Sequence, residues 1–277
     1  MPRDVRRSTL HTADDVDLAA DVWLAPEAPT TAVVLVHGFA AHRRDPSVTA
    51  VASELRAAGH VVLAYDMRGH GESGGLCTLG DAERLDVAAA TAAARDLAPH
   101  VVLVGASLGA VAVLRHAVDD ADLAGVVTVS SPARWRLRTP RAALAAVLTR
   151  TRAGRRLARR LGVRLDATWR WAEPPDALAA QLAAPLAVVH GTDDRFMPAG
   201  EAEILYGAGG AAGLAPGRRR LDVVERMGHA FCRVGSVRSA LPSTGASPSP
   251  PRASRPDPIP DRAGQSRSQG AVSPIFS

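Results

Sequence analysis

The residues with the strongest chemical potential stand in Gly105-Ala106-Ser107-Leu108-Gly109, directly between the apolar run Val101–Val104 and a helix-forming stretch from Ala110. A serine on a strand-to-helix turn is lifted above the sheet edge, and flanking glycines relieve the crowding of that turn. Its hydroxyl is a weak nucleophile until a base removes the proton. His229, in Met227-Gly228-His229-Ala230 after the last apolar run, has the chain position for that base. His37 and His190 sit at strand ends beside glycine, where a turn or supporting role is expected, and His70 falls in a loop. A base needs an acid to fix its tautomer. His190-Gly191-Thr192-Asp193-Asp194 supplies two carboxylates: Asp194 is read as the acid and Asp193 as a turn or capping residue. No carboxylate follows Val126–Val129, and Asp222 lies inside a strand pattern, so neither displaces Asp194. Backbone amides would stabilise a tetrahedral oxyanion: Leu108 directly after the serine, and Phe39 (Ala40 as second choice) in His37-Gly38-Phe39-Ala40. The bland alternatives are a bystander serine and an ordinary strand-ending turn.

These residues need a scaffold that brings loops from distant positions to one edge. Short apolar runs at 32–36, 61–65, 101–104, 125–129, 185–189 and 221–224 alternate with helical stretches at 48–58, 82–97 and 110–118. Uninterrupted apolar strands imply a sheet covered on both faces. The expected fold is a doubly wound, mostly parallel α/β sheet. Ser8–His11 and Val16–Leu24 would add an antiparallel edge pair around Asp14-Asp15. The rhythm breaks at about 133–184, where Leu144, Val147, Leu148, Leu157, Leu161 and Leu165 fall among many arginines at helical spacing. This reads as a helical cap insertion in a single α/β domain over 1–235. From Ser236 to Ser277 the chain turns to Ser, Pro, Arg, Gly and Ala, a composition expected to be disordered.

Composition narrows the function classes. Apolar residues make up 47% of the 277, enough for a sizeable core. The net charge of +5 is carried by arginine alone, for the sequence has neither Lys nor Asn. A GC-rich coding bias accounts for that. With no helix-turn-helix, zinc or RNA-binding signature beside it, no nucleic-acid partner is expected. The arginines at 150–160 read as a solvated face that could make weak contact with a membrane surface. Two cysteines, Cys77 and Cys232, make no disulfide framework, and neither a signal core nor a spanning run is seen, so a cytoplasmic protein is expected. Trp135, Trp169 and Trp171 are read as core or cap-packing residues, with an acyl-binding wall as the alternative. Oligomeric state leaves no trace in the sequence.

Val-Leu-Val-His37-Gly-Phe, Asp66-Met-Arg-Gly-His-Gly-Glu-Ser73, Gly-Ala-Ser107-Leu-Gly, His-Gly-Thr-Asp-Asp194 and Gly-His229 together resemble the α/β-hydrolase superfamily over about residues 8–232. The likeness is greatest to the bacterial branch of carboxylesterases, monoacylglycerol-lipase-like and serine aminopeptidase-like enzymes. The resemblance implies ester or related acyl hydrolysis of a small molecule or lipid through an acyl-enzyme, with no metal and no cofactor. Thioester hydrolysis or acyl transfer at the same site is the alternative, as is a catalytically impaired protein of this fold. It also implies that Asp66 and Arg68 brace the loop beside the site. In such enzymes a final helix follows the histidine loop. Here the Ser/Pro/Arg tail lacks apolar periodicity, so that helix is expected to be missing, leaving the sheet face near His229 uncovered. A frame shift would produce such a tail; translating the gene in all three frames tests this, and no helix-like continuation in another frame would dismiss it.

Overall fold

A computed structural model describes residues 4–135, 149–170, 173–231 and 234–242. Eight strands form one sheet in the order β1-β2-β4-β3-β5-β6-β7-β8. They are β1 (Val5–His11), β2 (Asp17–Trp23), β3 (Thr31–Val36), β4 (Val61–Tyr65), β5 (His100–Ala106), β6 (Gly125–Val129), β7 (Leu186–Gly191) and β8 (Arg219–Val224). β1 and β2 are antiparallel at one edge, as the sequence pattern around Asp14-Asp15 anticipates, and β4 through β8 run parallel with β3.

Alternation along each strand feeds two cores. On β3, Val33 and Leu35 face one layer with Val62, Ala64, Val102 and Val104, and α1 (Pro46–Ala57) covers it through Val48, Val51 and Leu55. Ala32, Val34 and Val36 face the other, beneath α2 (Glu83–Arg95) and α3 (Leu108–Ala117). Burial on both sides is why these strands read as unbroken apolar runs.

The insertion returns to the sheet through α4 (Arg152–Arg160) and α5 (Pro175–Ala179). Thr151 caps α4 by accepting from the Gly154 amide. α4 buries Gly154 and Ala158, whereas Leu157 and Leu161, the residue just past its end, are exposed. The Leu157–Leu161 spacing therefore does not mark the inward face: two small residues let the helix lie close. After α4 the chain is stitched to the loop beyond β4, with the Arg164 amide donating to Gly69 O at 2.7 Å and the Cys77 amide to Arg164 O at 2.8 Å. Leu144, Val147, Leu148 and Trp171 lie outside the described residues.

Two elements depart from the sequence expectation. α6 (Gly200–Ala211) joins β7 to β8, although glycines at 207, 209 and 210 hide its helical pattern. Gly209 is useful there, since a Cβ would stand 3.0 Å from the Leu186 side chain on β7. A final helix is also present. α7 (Val234–Ala240, seven residues) packs on α1 and the sheet, and buries Val237 and Ala240 in the α1-side core beside Met227 and Phe231. The sheet face by the histidine loop is therefore covered, and ordered structure continues past the expected boundary at 235. A short helix needs only two inward residues, too few to show as periodicity. Residues 243–277, most of the expected tail, and Cys232 lie outside the described residues. No described helix is long and apolar enough to cross a membrane.

Candidate active site

Ser107 ends β5 and opens α3 with φ 51° and ψ −113°. Positive φ is costly for a residue with a Cβ, and such strain persists only where neighbours over-determine it. The Ser107 amide donates to Val129 O on β6 at 2.9 Å. The glycines around it serve close approach: a Cβ on Gly105 would sit 2.4 Å from Gly109 O, and one on Gly109 would sit 2.3 Å from Val36 O. The Leu108 amide belongs to the first turn of α3, whose N–H groups have no intrahelical acceptor and carry the positive end of the helix dipole.

His229 and Asp194 are brought together by side-chain contact. His229 Nδ1 lies 2.7 Å from Asp194 Oδ2. A carboxylate only accepts, so Nδ1 carries a proton, and in the neutral ring the lone pair is on Nε2. Asp194 Oδ1 accepts from the amides of Phe196 (2.8 Å) and Met197 (2.9 Å). Burial of the Asp194 side chain would raise its pKa, but the hydrogen bond from His229 and the two amides outweigh it and hold the carboxyl below its ordinary value. Asp193 is exposed and among the described residues takes only the Thr192 hydroxyl, while its amide donates to Met227 O at 3.0 Å. That bond ties the acid loop to the histidine loop. Gly191 permits the approach, for a Cβ there would meet Met227 O at 2.0 Å. His190 is buried and donates from Nε2 to Met197 O at 3.0 Å, steadying the far side of the same turn.

Ser107 and the histidine loop share the end of β6. Val129 O holds the Ser107 amide, and the hydroxyl of the next residue, Ser130, accepts from the Ala230 amide at 3.1 Å. Ser130 is itself buried at φ 50°. In the sequence Ser130 is only a strand end, with no motif to mark it.

The loop after β3 closes against the elbow. A Cβ on Gly38 would lie 3.3 Å from Ser107 Cβ and 4.0 Å from its Oγ. Phe39 is half-buried, and among the described residues its amide has no acceptor. The loop is anchored by Arg43, a buried residue without a sequence signal, whose amide donates to Asp66 Oδ1 at 2.7 Å and whose guanidinium contacts Asp66, Asp21 and Glu72. Asp66 also takes the Glu72 amide, and Arg68 is clamped between Asp86 (2.7 Å) and Asp14 (2.7 Å). Both residues thus act on the loop beside the site. Asp222 pairs with Arg220 along β8, away from this cluster of contacts. The Phe196 ring packs against His229 at 5.1 Å between centroids. Trp169 is buried under the Arg150 guanidinium, 4.4 Å above its ring.

Known proteins agree with this architecture. The chain is 21% identical to the Pyrococcus furiosus esterase Pf2001, with a TM-score of 0.65 over 85% of this chain and 86% of that one. Est1E from Butyrivibrio proteoclasticus, solved with ferulic acid bound, superposes with a TM-score of 0.61 at 17% identity over 84% and 96% of the two chains. At such identities the likeness speaks for the fold. A monoacylglycerol lipase from Mycolicibacterium smegmatis is 45% identical over 60 residues, 22% of this chain, and the match spans about a fifth (21%) of that relative's length. The sequence model of the family described as Serine aminopeptidase, S33, matches residues 27–177, more than half the chain and including the β3 loop and the Ser107 elbow. With the parallel sheet and the strand-end loops as built, the chain belongs to the serine aminopeptidase family of α/β-hydrolases.

Proposed function

We propose that this protein is a serine hydrolase that cleaves a carboxylic ester through an acyl-enzyme, with Ser107 as nucleophile, His229 as base and Asp194 as the acid that orients it. The observation that carries the reading is a strained serine at φ 51° on the same β6 end that holds the loop of an Asp194-bound histidine. Ser107 Oγ attacks the acyl carbon while His229 Nε2 takes its proton. The carbonyl oxygen becomes an oxyanion that accepts from the Phe39 and Leu108 amides. Collapse expels the alcohol, which takes the proton back from His229. Water then attacks the acyl-enzyme by the same route, releasing the acid and restoring Ser107. The short match to a monoacylglycerol lipase and the esterase neighbours favour an ester of a small molecule or lipid.

The test is labelling by a fluorophosphonate probe followed by turnover of short and long p-nitrophenyl esters. Wild type labels at Ser107 and hydrolyses esters; Ser107→Ala does neither. A folded wild type that never labels, or a Ser107→Ala variant that keeps its turnover, rejects the proposal. Acyl-thioesters turned over faster than every ester would move the assignment to a thioesterase.

A further inference from the structure

We infer that His37 is a positioning residue for the oxyanion hole, locking the Gly38–Phe39 peptide so that the Phe39 amide faces the reacting carbonyl. This rests on the proposed hydrolase reading and assigns work to a buried histidine that the reaction scheme leaves idle.

The His37 ring is buried beneath the β3 loop. The Met67 amide donates to its Nε2 at 3.0 Å. A backbone N–H can only donate, so Nε2 carries the lone pair and the single ring proton sits on Nδ1. Nδ1 lies 2.8 Å from Gly38 O and donates to it. Burial, with the nearby His70, lowers the His37 pKa to about 3, so the ring stays neutral in this tautomer.

The consequence follows from covalent geometry. In a planar trans peptide, C=O and N–H point in opposite directions. With Gly38 O drawn onto the imidazole, the Phe39 N–H must point away from it. Phe39 N–H has no acceptor among the described residues, and Gly38 presents its open side to Ser107. Glycine is needed at 38 because a Cβ would crowd Ser107 at 3.3 Å. The same glycine makes a peptide flip cheap, since it has no side chain to forbid the turned conformation. A flip would aim a carbonyl at the developing oxyanion. Among the described residues, the only other donor to Gly38 O is the Ala41 amide at 3.3 Å, a longer turn bond.

Two substitutions separate the ring's two bonds. The amide nitrogen of asparagine falls near Nδ1, so His37→Asn can keep the donor to Gly38 O while losing the acceptor for Met67. The glutamine amide falls near Nε2, so His37→Gln can keep the Met67 bond while losing the donor. Both should label with a fluorophosphonate. His37→Gln is expected to lower kcat about 10–100-fold with KM within about twofold, short of the ~10²–10³ for deleting an oxyanion donor. His37→Asn should retain kcat within about threefold. A trifluoromethyl ketone, which adds to Ser107 as a hemiketal and places an oxyanion in the hole, should weaken against His37→Gln by the factor lost in kcat/KM. Equal kcat losses in the two variants that track their Tm, or an unchanged ketone affinity in His37→Gln, overturn the inference. Ester turnover surviving in Ser107→Ala overturns the hydrolase reading instead, and this assignment with it.

Discussion

Replacing Asp194 by asparagine probes the acid–base pair without changing its shape. The carboxylate accepts three hydrogen bonds: two amides on Oδ1, at 2.8 and 2.9 Å, and His229 on Oδ2 at 2.7 Å. Asparagine has one acceptor oxygen and one NH₂ donor group. If the oxygen stays on the Phe196 and Met197 amides, the NH₂ faces His229 Nδ1. If it turns the other way, the Phe196 and Met197 amides, one exposed and one part-buried, lose their acceptor and meet a donor, at roughly 0.5–1.5 kcal/mol each. The first orientation therefore wins. It forces His229 to accept at Nδ1 and carry its proton on Nε2, the nitrogen that receives the serine proton in the proposed reaction. A wrong tautomer costs about 10⁴-fold in kcat, about 5 kcal/mol of transition-state stabilisation. The fold should lose only about 1–2 kcal/mol, because the two amide bonds survive and one charge-assisted bond becomes neutral. The assay is p-nitrophenyl acetate turnover at pH 7.5, with thermal melting as the control and Asp193→Asn as the comparison. Asp193 is exposed, so its substitution should leave kcat within about threefold. An Asp194→Asn enzyme that is folded and loses less than about tenfold in kcat refutes the reasoning. A larger loss in Asp193→Asn would hand the role to Asp193.

His37 also predicts acid sensitivity. Its pKa is about 3 in the fold against 6.5 for the free side chain, so between those values the unfolded chain binds a proton that the folded one refuses. The penalty is absent above about pH 6.5 and grows as pH falls towards 3, reaching roughly 5 kcal/mol; urea denaturation at pH 7 and pH 4 should show a smaller difference in His37→Asn. Ser130→Ala removes the acceptor of the Ala230 amide and should cost about 1–3 kcal/mol, with kcat falling more than KM as the His229 loop loosens; equal kcat and an unshifted Tm would show that the bond is dispensable. Val237→Ser places a hydroxyl in the α1-side core and should lower stability by about 2–3 kcal/mol, measured as a fall in Tm, whereas a neutral result would mean that α7 does not seal that face.

Much of the proposed site is legible in the sequence because its chemistry would depend on local order. Gly105, Ser107 and Gly109 announce themselves by spacing, since only glycine tolerates approaches of 2.3–2.4 Å to backbone oxygens. His229 and Asp194 could be chosen by their place after strand-like runs, and a parallel sheet gathers all strand ends at one edge. Illegible residues were those whose role is set by a partner far along the chain. Ser130 matters through Ala230, 100 residues away, and Arg43 through Asp66, 23 residues away. The two helices missed, α6 and α7, have too many glycines or too few inward residues to show a period. The exposed Leu157 and Leu161 mark the converse failure, in which a period exists but packing selects Gly154 and Ala158.

Backbone sterics and burial on both sheet faces act on neighbouring residues, so the alternation of strand and helix and the Ser107 elbow can be read along the chain, as can the proposed order Ser107, Asp194, His229. The contact of Asp194 with His229, the short helix that closes the sheet and the bond from the His37 ring to Gly38 O came only with the tertiary structure. Those outcomes depend on hydrogen bonds whose direction is fixed by which buried donor meets which acceptor, and no local pattern encodes that.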